Sequence, residues 1–106
     1  DGQRIATTGT QGMLRVWNPA TGRLVQEIKT STTRPLHVEF SPNGKRLASL
    51  GNDGHLRIWD WQANHELVAL NLSRTWFWNG KFSKDGRKFV CAADKIYLLD
   101  TEIANE

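Results

Sequence analysis

Two unrelated landmarks in this chain return at one spacing. Arg15-Val16-Trp17-Asn18 reappears as Arg57-Ile58-Trp59-Asp60, and Phe40-Ser41-Pro42-Asn43-Gly44 reappears as Phe82-Ser83-Lys84-Asp85-Gly86, each 42 residues on. A weaker third copy of the first landmark, Tyr97-Leu98-Leu99-Asp100, follows the second by 40 residues. The two lost residues fall in the turn before it, where Ala93-Asp94-Lys95 replaces Gly51-Asn52-Asp53-Gly54-His55. Repetition at such a period constrains the fold strongly. One unit cannot bury its apolar faces alone, so neighbouring units must stack.

Within each period the local signals are strands and turns. Leu36–Phe40, Arg46–Leu50, Leu56–Trp59 and Leu67–Leu72 are short apolar runs bounded by Gly, Pro, Asn and Asp. Gly9–Gly12, Asn43–Gly44, Asn52–Gly54 and Asp85–Gly86 offer the turn residues that tight hairpins require. Four strands per period make an antiparallel meander. In Leu14-Arg15-Val16-Trp17 one face carries Leu14 and Val16 and the other Trp17, and Leu56, Ile58 and Trp59 repeat the scheme. Apolar residues on both faces predict sheets covered on both sides, which is how radially stacked blades pack.

The period, the Trp59-Asp60 and Trp17-Asn18 pairs, the two Phe-Ser-turn segments and Asp53-Gly54 together resemble the WD-repeat (WD40) family over the whole chain. The resemblance implies an all-β fold of WD40-type β-propeller blades and, at this length, an incomplete propeller. Repeat phase divides the chain into a three-strand partial blade at 1–29, a complete blade at 30–72 and a partial blade at 73–106. Asp1-Gly2 aligns with the turn Asn43-Gly44, so a strand is expected before residue 1. The missing blades would then come from the rest of a longer chain or from an oligomer.

The resemblance also implies a hydrogen-bond network around a buried Trp on the third strand of each blade, because a buried indole N–H needs an acceptor. By position, Ser49, Asp53 and Trp59 supply it in the middle repeat, and Thr7 and Trp17 in the first, where Gln11 stands in place of Asp. The third repeat has Cys91 and Leu99 at the Ser and Trp positions. The family's Gly-His pair is missing from both loops where it belongs, leaving Thr30-Ser31 and Leu72-Ser73. Arg15 and Arg57 match a basic position of the family and read as structural.

What remains is chemistry for binding. His37, His55 and His65 are scattered, and with one cysteine they form no metal-ligand spacing. Ser, His and Asp fall in no recognisable catalytic motif, and no cofactor is implied. The net charge of +3 is interspersed with acidic residues and lacks a basic block, so nucleic acid ranks last among partners. No apolar run is long enough for a membrane helix. Cys91 is the only cysteine, which excludes an internal disulfide and suggests a reducing, cytoplasmic setting. The expectation is a non-catalytic scaffold that binds other proteins or peptides, with a propeller segment of a multidomain kinase or protease as the alternative. Five tryptophans in a short chain give the candidate surface: Arg34, Asn52, Arg74, Trp76 and Trp78, on the rim shared by inter-blade loops and the second hairpin turn. Trp and Arg are the residues most enriched at binding hot spots.

Overall fold

A computed structural model describes residues 3–30, 34–72 and 79–101. Among the described residues ten strands make three antiparallel sheets. The first sheet is β1 (Ile5–Thr8), β2 (Met13–Asn18) and β3 (Arg23–Lys29). The second is β4 (Pro35–Phe40), β5 (Leu47–Gly51), β6 (His55–Asp60) and β7 (His65–Asn71). The third is β8 (Asn79–Phe82), β9 (Lys88–Ala92) and β10 (Ile96–Asp100). Each strand pairs with its neighbours in the sequence, so every sheet is a meander. The single helical element among the described residues is a three-residue 3-10 turn at Thr10–Gly12.

The repeat is visible in the backbone. In the β4–β5 turn, Ser41 Oγ donates to Asn43 Oδ1 at 2.7 Å, and Asn43 Oδ1 accepts Lys45 N–H at 3.0 Å. Ser83 Oγ donates to Asp85 Oδ1 at 2.6 Å in the β8–β9 turn, and Asp85 Oδ1 accepts Arg87 N–H at 3.0 Å. Those bonds hold the Asp85 carboxyl below the ordinary carboxylate range, the Ser83 hydroxyl contributing most. Gly44 and Gly86 close the two turns at φ +74°, a left-handed conformation that favours residues without Cβ. A bulge recurs as well. The register slips between Val16 and Trp17 and again between Ile58 and Trp59, leaving Val25 and Leu67 as the extra residues on the outer strands β3 and β7.

Stacking of sheets makes the core. Leu14, Val16 and Ile28 of the first sheet pack against Leu47, Trp59 and Trp61 of the second, with Val38 and Phe40 beside them. On the other face of the second sheet, Ala48, Leu50, Leu56 and Ile58 meet Phe82, Phe89 and Cys91 of the third. β5 is therefore buried at all five positions, whereas β9 of the third sheet alternates buried and exposed. Along one edge, β4 lies between β1 and β8, so the sheets converge there and splay toward β3 and β7.

Close approach at that edge requires Gly80. A Cβ at this position would lie 2.7 Å from Leu50 Cδ1 and from the Phe89 ring, both of them fully buried. Gly80→Ala is expected to destabilise the fold by about 1–3 kcal/mol through overpacking. Urea denaturation checks this, and an unchanged midpoint would show that the second and third sheets pack less tightly than described.

Candidate functional site

The geometry of each sheet starts with its indole. Trp59 is 5% exposed, and its Nε1 donates to Ser49 Oγ at 3.1 Å across neighbouring strands. In the first sheet Trp17 Nε1 donates to Thr7 Oγ1 at 3.0 Å. The residue pairs are ten apart in both cases because the β1–β2 and β5–β6 hairpins have the same length. In the third sheet Leu99 lies opposite Phe89 as Trp59 lies opposite Leu47. Leu99 removes the donor there, Cys91 takes the hydroxyl's place, and both side chains join the core between the sheets. No buried group is stranded by this double replacement. Burial pushes the Cys91 thiol up to about 11, far from the reactive thiolate form.

Asp53 bonds within its own turn and onto β6. Its Oδ1 accepts His55 N–H at 3.1 Å, and its Oδ2 lies 3.2 Å from His55 Nδ1 and 3.6 Å from an Arg57 guanidinium nitrogen. Arg57 also meets Glu66 at 3.4 Å. Asp53 thereby fixes the turn and pairs with Arg57. In the first sheet Arg15 pairs with Glu27, its neighbour on β3, at 2.8 Å.

Sequence reasoning assigned no role to Trp61. It is 4% exposed, packs edge-to-face on Phe40 and donates Nε1–H to the Gly44 carbonyl at 2.8 Å. Thr101 Oγ1 donates to the Gly86 carbonyl at 2.7 Å. Two different side chains thus cap the same carbonyl in successive repeats, a match hidden by their unlike chemistry. Glu39, also unassigned, sits on β4 beside the third sheet. Its carboxyl is raised, chiefly by burial, against smaller lowering effects of His37, the Phe82 N–H and Lys81.

The rim is assembled by backbone bonds. Asn52 N–H donates to the Arg34 carbonyl at 3.1 Å, joining the segment that leads into β4 to the β5–β6 turn. Leu72 N–H donates to Gly54 O at 3.0 Å, and Thr30 N–H to Gly12 O at 2.8 Å. The ends of β3 and β7 and the β1–β2 and β5–β6 turns therefore gather at one end of the stack, and the Ser41–Gly44 and Trp61–Asn64 turns lie at the other. Arg34 and Asn52 are both exposed there. Arg74, Trp76 and Trp78 lie outside the described residues; they belong to the connection from Leu72, at this end, to β8. Among the described residues no group of three or more His, Cys, Asp or Glu could hold a metal ion.

Residues 22–60 match the family model described as "WD domain, G-beta repeat". The match runs from the β2–β3 turn through β6, so it takes the last strand of one sheet and the first three of the next. No curated protein matches the chain.

Two outcomes follow from these contacts. Ser49→Ala leaves the Trp59 N–H buried without an acceptor and is expected to destabilise by about 1–3 kcal/mol. The loss should shrink when Trp59 is already Phe; strictly additive losses in a double-mutant cycle would mean the bond contributes nothing. Folded Glu39 holds its proton more tightly than the unfolded chain does. The fold therefore loses stability as pH rises from the ordinary value of 4.5 through the raised one. Glu39→Gln should melt above wild type at pH 7, with the gap closing at pH values below 4.5; a gap independent of pH would exclude ionisation as its cause.

Proposed function

The chain belongs to the WD-repeat family, and on that premise we propose that it is a non-catalytic, cytoplasmic scaffold segment that binds other proteins or peptides through the Arg34–Asn52 rim. The observation that carries this reading is the Asn52 N–H bond to the Arg34 carbonyl. It holds an exposed guanidinium-bearing segment and an exposed amide turn in fixed relation on rigid sheets. A preorganised surface loses less conformational entropy on binding than a floppy loop does. Arg34 contributes a planar fork of donors suited to carboxylates and carbonyls. Arg74, Trp76 and Trp78, in the connection leading away from Leu72, would add large aromatic contact area to the same end. Placement in a reducing compartment is supported by the single thiol, Cys91, which is buried and free.

A displayed peptide library selected on the immobilised chain supplies binders without assuming a natural partner. Arg34→Ala, Trp76→Ala and Trp78→Ala are each expected to weaken the selected peptides by about 2 kcal/mol, roughly 30-fold, the scale of a hot-spot residue. Lys45→Ala, in the exposed turn at the other end, should leave affinity unchanged. Equal losses at both ends, or tryptophan variants that melt early while folded molecules bind normally, would refute the rim as the binding surface.

A further inference from the structure

One basic position recurs at the start of β1, β5 and β9, as Arg4, Arg46 and Lys88. Its counterpart at the end of β2, β6 and β10 is Asn18, Asp60 and Asp100. Arg46 lies 4.0 Å from Asp60 Oδ2, and Lys88 lies 3.4 Å from Asp100 Oδ2. In the first sheet the cation is kept and the carboxylate is not. Asn18 Oδ1 accepts Ala20 N–H at 2.9 Å, as Asp60 Oδ1 accepts Ala63 N–H at 3.4 Å. The turn takes that oxygen in both sheets, so Asn18 Nδ2 stands where Asp60 has the oxygen that meets Arg46. Among the described residues Arg4 donates to the neighbouring Gln3 carbonyl alone, at 2.8 Å, and its Nε is enclosed without an acceptor. Donors thus stand beside donors, and the acceptor that belongs between them is missing.

The adjacent position differs as well. Trp61 and Thr101 cap the Gly44 and Gly86 carbonyls, but the first repeat has Pro19 there, which offers no side-chain donor. Gln3, Arg4, Asn18, Pro19 and Ala20 border a hollow of about 310 Å³. One repeat on, the residues at these positions include Trp61, whose indole is buried. We propose that this hollow docks a partner segment in which an acidic residue is followed by an aromatic one. The partner's carboxylate accepts from Arg4 and Asn18, and its ring fills the space beside Pro19. Such a pair does between molecules what Asp60 and Trp61 do within the second sheet. A guanidinium and a primary amide suit this acceptor, since each presents more than one N–H and a charged pair makes the stronger bond. The site lies at the end of the stack opposite the Arg34–Asn52 rim and does not depend on it.

A tetrapeptide blocked at both ends, acetyl-Gly-Asp-Trp-Gly-amide, is the probe, titrated into the isotope-labelled chain and followed by nuclear magnetic resonance. It should shift the Arg4 Nε–H and Asn18 Nδ2–H signals saturably. Replacing its Asp by Asn, or its Trp by Ala, should each weaken binding about tenfold, the scale of one charge-assisted hydrogen bond or one buried ring. Arg4→Gln should lose at least about tenfold for the same reason. Asn18→Asp supplies the missing acceptor from within, as Asp60 does for Arg46, and should abolish binding without lowering the melting temperature. Lys84→Gln removes an exposed charge from the β8–β9 turn at the same end and should change nothing. Signals unmoved up to millimolar peptide would overturn the proposal. So would an Asn-bearing peptide that binds as well as the Asp one, an Asn18→Asp chain that binds like wild type, or a loss at Lys84 equal to that at Arg4.

Discussion

Everything in this molecule depends on a sheet having two apolar faces. A β-strand sends alternate side chains to opposite sides, and here both sides carry Leu, Ile, Val, Phe or Trp at the middle positions. One face can never be left wet without cost, so a single meander of this sequence has no stable existence. The second sheet meets the requirement, with β5 buried throughout. Its neighbours meet it on one side only. Sheet stacking decides which residues are core, and the turns merely keep the strands in phase for it.

The period, the meander and the two-sided burial were all legible in the sequence because they rest on spacing and on residues with strong local preferences. Strand limits were read within a residue or two: Arg46–Leu50 was expected and β5 is Leu47–Gly51, while Leu67–Leu72 was expected and β7 is His65–Asn71. Polar His65 and Glu66 hid the start of β7, although backbone pairing with β6 does not require apolar side chains there. Asp53 could be placed in its turn, but its contacts with His55 and Arg57 carry no periodic signal. Trp61 escaped altogether. Its role depends on the Gly44 carbonyl, 17 residues earlier, and no periodicity in the chain announces that contact. Glu39 was equally hidden, because its burial arises only once β4 lies against β8.

The matched family segment, 22–60, is offset from the sheets. It contributes β3 to the first sheet and β4, β5 and β6 to the second. Consecutive sheets are therefore tied by covalent chain and not by packing alone. The same offset places the ends of β3 and β7 at the end where the second hairpin turns emerge. Fold and candidate binding surface thus share one stagger: Arg34 and Leu72 are both held to the β5–β6 turn, by the Asn52 and Leu72 backbone bonds.

The third sheet, with Leu99 and Cys91 where the second has Trp59 and Ser49, shows what kind of variation such a stack tolerates. A buried donor and its acceptor form a unit, and the two positions sit on adjacent strands separated by a hairpin. Removing the hydroxyl first would strand an indole N–H; removing the indole first would leave a smaller polar group and a void. Either single step is costly and the completed exchange is not, so the two sites lie in separate valleys joined by a pass. Each repeat can occupy a different valley while sharing one backbone, which lets neighbouring sheets drift apart in composition and still interlock.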